Sequence, residues 1–303
     1  MRAIELFAGI GGLKLAAPAG VEVVVAYDQD RAAGLAHGEN HAVPVVSLDL
    51  SSVSARELLR HEAECWLLSP PCQPFTRRNS ALVGRDEDDP RCAALLRLVA
   101  LLPECRPRRL LVENVPGFHG SRAHGRLIAA LRALGHDTRD VETCPSEFGA
   151  PVRRRRQFVV SSADGLAASS ADGLAASSVD AGAPPLARRS LDEFLDAGTD
   201  PSLRVPESVR ARVADHLPMT GADGIAGTFT RSYGRAISGA GPVRWDADGP
   251  VYFSPEEILR LHDFPASFHF PALLDLRTRW RLAGNSVHVG SVRAVASLLG
   301  ECA

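Results

Sequence analysis

Short apolar runs alternate with longer stretches of mixed polarity through the first half of the chain. The runs at 2–7, 21–27, 43–48, 65–68 and 109–112 are rich in Val, Leu and Ile and are punctuated by Gly, Asp or Pro. Such runs read as strands buried on both faces. Between most of them the apolar positions recur at helical spacing: from Leu13, after Asp30 to about Asn40, over Arg91–Leu102 and over Arg122–Leu134. This alternation predicts an α/β fold, a parallel sheet with helices on both faces. Residues 137–144 and 155–161 are expected to add an antiparallel pair at one edge.

The pattern changes after Ser161. An eight-residue unit beginning at Ser162, Ser-Ala-Asp-Gly-Leu-Ala-Ala-Ser, repeats once from Ser170, and small residues dominate as far as Pro184 and Pro185. Two copies are too few for a repeat architecture, so 162–185 is read as a flexible insertion. It divides a first domain, 1–161, from a smaller one, 186–275, and 276–303 is expected to return to the first. Within the smaller domain, Ser254-Pro255-Glu256-Glu257 has the form of a capping box with proline at the first helical position. A short helix to about His262 should follow. Residues 285–299 are expected to form a terminal helix.

Composition narrows the class. The chain has 303 residues, 45% hydrophobic and 23% charged, which is ordinary for a soluble globular protein. No apolar run approaches the roughly 20 residues that span a bilayer, and the early glycine turn argues against a secretory signal. Six cysteines occur without a Cys-x-x-Cys pair, and ten histidines show no ligand spacing. Zinc ribbons, disulfide frameworks and a resident metal are therefore not expected, whereas a cytoplasmic protein with reduced thiols is. The net charge of -2 does not advertise a polyanion binder. The basic charge is local, in Arg153–Arg156, in Arg77 and Arg78, and in Arg106, Arg108 and Arg109. A local patch can hold phosphates without a basic total.

Three loops carry candidate chemistry. Phe7-Ala8-Gly9-Ile10-Gly11-Gly12 follows a strand and precedes a helix, where glycines allow a tight turn and close approach to a ligand. Asp28, at the end of the next strand, is placed as a ribose-binding carboxylate would be. The loop lacks the lysine and hydroxyl of a triphosphate site. Ser69-Pro70-Pro71-Cys72-Gln73-Pro74-Phe75-Thr76 holds a cysteine in a loop stiffened by three prolines. A nucleophilic Cys72 needs an electropositive setting, for which Arg154 and Arg156 are candidates. Glu113 in Glu113-Asn114-Val115 is a carboxylate at a strand end. Taken singly, each has a plainer reading as a turn, a stiff loop or a surface acid. In a parallel α/β sheet, however, all three loops converge outside the strand ends on one crevice.

These motifs, in this order, resemble those of the cytosine-5 methyltransferase family. Residues 7–12 are similar to its cofactor motif, Pro71-Cys72-Gln73 to its nucleophile motif and Glu113-Asn114-Val115 to the motif of its catalytic glutamate. Residues 151–156 resemble its Arg-x-Arg motif, on Arg154 and Arg156, and Gly284-Asn285-Ser286-Val287 its last motif. The resemblance implies a Rossmann-like S-adenosylmethionine-dependent methyltransferase sheet with a small target-recognition domain. It also implies S-adenosyl-L-methionine held by Phe7, Gly9, Gly11, Gly12, Asp28, Asp49, Leu50, Asn285 and Ser286. Cys72, Glu113, Arg154 and Arg156 become the catalytic set, acting on a cytosine taken out of its stack.

Residues 69–77, 228–235 with Gly239 and Gly241, and 253–258 with 263–265 look more like the branch that methylates an anticodon-loop cytosine of aspartate tRNA. That branch has Cys-Phe-Thr where this chain has Thr228-Phe229-Thr230. Only roughly a hundred residues separate the Arg-x-Arg motif from the last motif, whereas single DNA-reading modules already bury roughly 600–1,000 Å². A single-stranded loop with splayed bases needs less surface. The expected partner is nucleic acid, tRNA in preference to DNA. An inactive nucleic-acid-binding relative would have lost Cys72, Glu113 or the arginines, and all are present. Nothing in the sequence fixes an oligomeric state.

Overall fold

The computed structural model describes residues 1–76, 85–167, 187–198, 200–213, 224–235 and 241–300. Most of the insertion expected at 162–185 falls outside the described residues, as do Arg77, Arg78 and Gly239. The described chain divides into two compact units. The first comprises Met1–Thr143, Arg155–Pro184 and Ser291–Ala303, and the second Cys144–Arg154 and Pro185–Gly290.

The first unit is the α/β sheet. Strand β1 (Arg2–Leu6) runs through the glycine turn into α1 (Gly12–Leu15), and β2 (Glu22–Tyr27) into α2 (Arg31–Asn40). Then β3 (Val45–Val46) precedes α3 (Ala55–Leu59), β4 (Cys65–Leu68) precedes α4 (Ala93–Cys105), and β5 (Arg109–Asn114) precedes α5 (Arg122–Ala133). Strands β6 (Asp137–Thr143) and β7 (Arg156–Ser162) complete it. Among the described residues the order is β3-β2-β1-β4-β5-β7-β6. The first five pair in parallel, and β7 runs antiparallel to both β5 and β6. No helix among the described residues is long and apolar enough to cross a membrane.

Alternation along the strands builds the core. Ile4 and Leu6, Val25 and Tyr27, Trp66 and Leu68, and Leu110 and Val112 share one face, two residues apart on each strand. Against them pack Leu58 of α3, Leu95, Leu98 and Leu102 of α4, and Leu127 and Leu131 of α5. Each such leucine contributes about 1.5–3 kcal/mol on burial.

Four local differences from the sequence expectation have simple causes. Helix α1 has four residues because Pro18 follows closely. Strand β3 shrinks to Val45–Val46 after Pro44, which has no N–H to give a ladder. Strand β5 runs past Val112, because β7 pairs Phe158 with Glu113 and Gln157 with Asn114. Glu113 thus sits in the strand rather than in a loop after it. The edge pair exists, but β7 inserts beside β5 and leaves β6 outermost.

The second unit contains α6 (Glu207–Val213), the hairpin β8 (Val243–Asp246) and β9 (Gly249–Tyr252), α7 (Pro255–Leu261) and α8 (Leu276–Asn285). The capping box forms as expected: Ser254 Oγ accepts from Glu257 N–H at 3.0 Å, and the Glu257 carboxylate from Ser254 N–H at 2.8 Å. Phe229, Tyr233, Phe253 and Trp280 make the aromatic centre, with edge-on ring contacts of 5.2 to 5.6 Å. Tyr233 is buried and its hydroxyl donates to Pro242 O, so it is a packing residue. The single helix expected over 285–299 is broken. Asn285 ends α8, Ser286 is extended, and α9 (Val289–Ala296) begins after it.

Candidate active site

Register brings the three loops of the first unit to one edge. Leu6 lies beside Leu68, and Leu68 beside Val112, so β1 and β4 finish level and β5 runs on by Glu113 and Asn114 at the same edge. Hydrogen bonds then tie the loops together. Ser69 N–H donates to Leu6 O at 3.2 Å, and Asn114 Nδ2 to Pro70 O at 3.1 Å.

On one side stands the glycine loop. Phe7 has φ of 59°, Gly9 56° and Gly11 86°, so the chain turns through the left-handed region that glycine enters freely and phenylalanine does not. Asp28 fixes the turn: one carboxylate oxygen accepts from Gly9 N–H and the other from Asp30 N–H, both at 2.7 Å. Burial pushes the Asp28 carboxyl above its ordinary range, and these two N–H groups pull it back. Asp49, in the loop after β3, caps the turn at Leu50–Ser52 through Ser51 N–H at 2.9 Å, and Leu50 is buried. A Cβ on Gly9 would meet nothing within 4 Å, so the loop faces open space. Backbone N–H groups, an open face and carboxylates in the loops that follow β2 and β3 fit a nucleoside cofactor.

On the other side stand the thiol and the acid. Cys72 precedes the turn Gln73–Phe75 and is partly exposed. Phe75 packs edge-on against Phe118, with centroids 5.0 Å apart. A Cβ on Gly117 would lie 2.1 Å from Phe75 O, so only glycine permits this approach. Glu113 is 5% exposed and both its oxygens are engaged. Oε1 is 2.9 Å from Arg156 Nε, and Oε2 accepts from Ser69 Oγ at 2.8 Å. A buried carboxylate so paired is held in one rotamer and supplied with positive charge.

The two arginines expected to act together sit in different surroundings. Arg156 faces Glu113 in the first unit. Arg154 belongs to the second unit, is 3% exposed, and donates to the carbonyls of Phe229, Gly284 and Ser286. It clamps the turn after α8 against the segment at 229. Asn285 and Ser286 lie in that turn, with Ser286 Oγ 3.3 Å from His262 Nδ1. Gly284 is needed there, because a Cβ would lie 2.3 Å from Thr230 O.

One residue escaped the sequence reading. Arg91, at the start of the helix expected over Arg91–Leu102, lies within electrostatic reach of Cys72. It is bound by two nitrogens to buried Asp89, at 2.8 and 2.5 Å, and this raises the Arg91 pKa. Asp89-Pro90-Arg91 just before a helix was the available signal. His119, His124 and Asp140 form the one grouping of three metal-ligand side chains among the described residues. His124 Nδ1 accepts from Gly120 N–H at 3.4 Å, so Nε2 carries the proton and donates to Asp140 at 2.8 Å. Hydrogen bonds therefore account for the cluster.

A sheet of this order, with a glycine loop after β1, a thiol in the loop after β4 and a carboxylate near the end of β5, defines a methyltransferase of the Rossmann-like class. Within that class the chain belongs to the C-5 cytosine-specific DNA methylase family, which residues 1–186 match. The family's methyl donor is S-adenosylmethionine. The tRNA (cytosine(38)-C(5))-methyltransferase of Schizosaccharomyces pombe is 29% identical, over 99% of this chain and 97% of its own length. The DNA (cytosine-5)-methyltransferase of Dictyostelium discoideum is 25% identical, over 99% of this chain and 94% of its own. The crystal structure of S. pombe Dnmt2 methyltransferase superposes with a TM-score of 0.85 at 27% identity, covering 99% of this chain and 98% of that one.

Proposed function

We propose that this protein methylates carbon 5 of a cytosine in tRNA, the anticodon-loop cytosine-38 of aspartate tRNA being the favoured target, with Cys72 as nucleophile. The observation that carries the chemistry is the Ser69–Glu113–Arg156 array, which holds a buried carboxylate beside the thiol loop. The tRNA target is supported by the names of relatives that match along their whole length.

Cytosine C5 is a weak nucleophile. Cys72 Sγ bonds to C6, the C5–C6 π pair becomes available at C5, and the ring is activated covalently. Glu113, carrying a proton taken up as the base binds, holds N3 and the N4 amino group and passes that proton to N3, so negative charge does not accumulate on the ring. Arg156 keeps Glu113 aimed and adds positive charge near the ring. Arg91, held by Asp89, stands within electrostatic reach of Cys72. After methylation, loss of the C5 proton to a base breaks the Sγ–C6 bond and releases the Cys72 thiolate, and the N3 proton returns to Glu113. Phe7, Gly9, Gly11, Gly12, Asp28, Asp49 and Leu50 would hold S-adenosylmethionine, which supplies an electrophilic methyl group.

The test is transfer of labelled methyl from S-adenosylmethionine to bulk tRNA and, in parallel, to unmethylated duplex DNA, with Cys72→Ala as control. Label in tRNA that disappears with Cys72→Ala supports the proposal. Label in DNA alone keeps the chemistry and overturns the substrate, and label in neither removes both.

A further inference from the structure

Beneath the 7–12 loop lies a buried polar cluster that the reaction does not use. Glu5 of β1 and His37 of α2 are fully buried, and His41, just after α2, is 6% exposed. One Glu5 oxygen accepts from Lys14 N–H at 3.0 Å, and the other lies 3.1 Å from His37 Nε2. His37 Nδ1 is buried without a hydrogen-bond partner. The His37 and His41 rings meet edge-on at 4.6 Å. His41 Nε2 lies 3.1 Å from Ile10 O, and since a carbonyl only accepts, this nitrogen donates. The loop rests directly on these rings: a Cβ on Gly11 would lie 2.2 Å from His41 Nε2 and 3.0 Å from His37 Cδ2.

We propose that His41, backed by His37 and Glu5, is a positioning residue that holds the cofactor loop in place only while its ring is neutral, so that affinity for S-adenosylmethionine falls on acidification. This rests on the reading that residues 7–12 hold that cofactor. Burial and then the neighbouring His37 lower the pKa of His41, outweighing the Ile10 carbonyl and Glu5, which raise it. The charged groups facing the cluster are Glu5 from β1 and Lys14 from α1, with Asp28 at the end of β2 in electrostatic reach of Glu5. A second proton on His41 is accommodated when the loop lifts and the ring meets water. Cofactor binding to the seated loop is then linked to release of that proton.

The sign follows from the lowered pKa. The seated loop is favoured above the ordinary histidine value of 6.5, and the advantage is lost as pH falls below it. At about pH 5.5, one unit below that value, an exposed imidazole is protonated about ten to one, so affinity should fall several-fold, with about tenfold as the ceiling, from its value at about pH 8. Calorimetric titration of the full chain with S-adenosylmethionine at both pH values reads this, with circular dichroism at each pH to confirm the fold. His41→Gln keeps a donor for Ile10 O but does not titrate. It should bind as wild type does at the higher pH and lose no more than about twofold at the lower. His41→Leu should bind weakly at both. His37→Gln, which keeps a donor for Glu5, should bind as wild type does at the higher pH. A flat wild-type profile overturns the proposal while leaving the cofactor reading intact. So does a His41→Gln profile as steep as the wild type, which would move the sensor to Asp28. Wild-type protein that binds no cofactor at either pH sinks the cofactor reading and this inference together.

Discussion

The two halves of the sheet's carboxyl edge are built from different materials. Over β1, β2 and β3 the loop geometry comes from backbone: positive φ at Phe7, Gly9 and Gly11, and N–H groups of Gly9 and Asp30 gathered on Asp28. Over β4, β5 and β7 it comes from side chains, as Ser69 and Arg156 converge on Glu113 and Arg91 on Asp89. Backbone cradles tolerate many ligand orientations but few side chains, and they govern binding. Side-chain arrays fix one proton or one lone pair in place, and they govern rate. Substitutions in the two halves should therefore separate, with KM or cofactor Kd moving on one side and kcat on the other.

The largest effect should come from Cys72→Ala, because the proposed mechanism makes Cys72 the covalent nucleophile and leaves no equivalent route without it. Methyl transfer should fall by about 10⁴-fold or more, while cofactor affinity by calorimetry stays within about twofold, since Cys72 is not part of the cradle. A drop in cofactor affinity as large as the drop in rate would abolish the division between the halves. Next comes Glu113→Gln. It keeps the shape but gives up the charge that Arg156 and Ser69 hold, and kcat should fall about 10²–10³-fold. A change in KM alone would place Glu113 in substrate binding only.

The arginine pair sharpens the contrast, since the two residues are two positions apart and belong to different units. Arg156→Lys keeps charge but loses the fork, and should lower kcat by about ten- to a hundredfold with little change in Tm. Arg154→Met strands three backbone carbonyls in the second unit, so its main signature should be a loss of about 3 kcal/mol in denaturant unfolding. The opposite assignment, with Tm falling for Arg156 and rate for Arg154, would show that the clamp reading is wrong.

This pair also marks how far the sequence could be read. The alternation of Val- and Leu-rich runs with helical spacing specified the sheet, because strands covered on both faces leave a strong pattern. That the glycine loop, Cys72, Glu113 and Asp28 gather at one sheet edge was legible because their places depend on residue type near a strand end. Arg154 and Arg156 were not separable, because nothing in Arg-Arg-Arg-Arg says which side chain turns into which unit. Burial does, and burial depends on carbonyls at 229, 284 and 286. Arg91 was hidden for a similar reason, since its partner Asp89 is adjacent but the thiol it influences is some twenty positions away. The helix expected from Asn285 failed because Ser286 adopts an extended backbone that Arg154 stabilises through a distant contact.

The smallest effect belongs to the cradle and tests its half alone. Asp28→Asn replaces one of two accepting oxygens with an NH₂ group, which must face the N–H of Gly9 or of Asp30. The loop should loosen and cofactor Kd should rise by about tenfold, with kcat at saturating cofactor nearly unchanged. Acidification should act in the same direction. The Asp28 pKa is raised from 3.8 by burial, so its carboxylate is lost at a higher pH than an exposed aspartate's would be. Cofactor binding by Asp28→Asn should therefore lack the lowest-pH part of the wild-type decline. A variant that binds normally but turns over slowly would instead put Asp28 with the rate-governing half, and the partition of the sheet edge into a binding side and a chemical side would not stand.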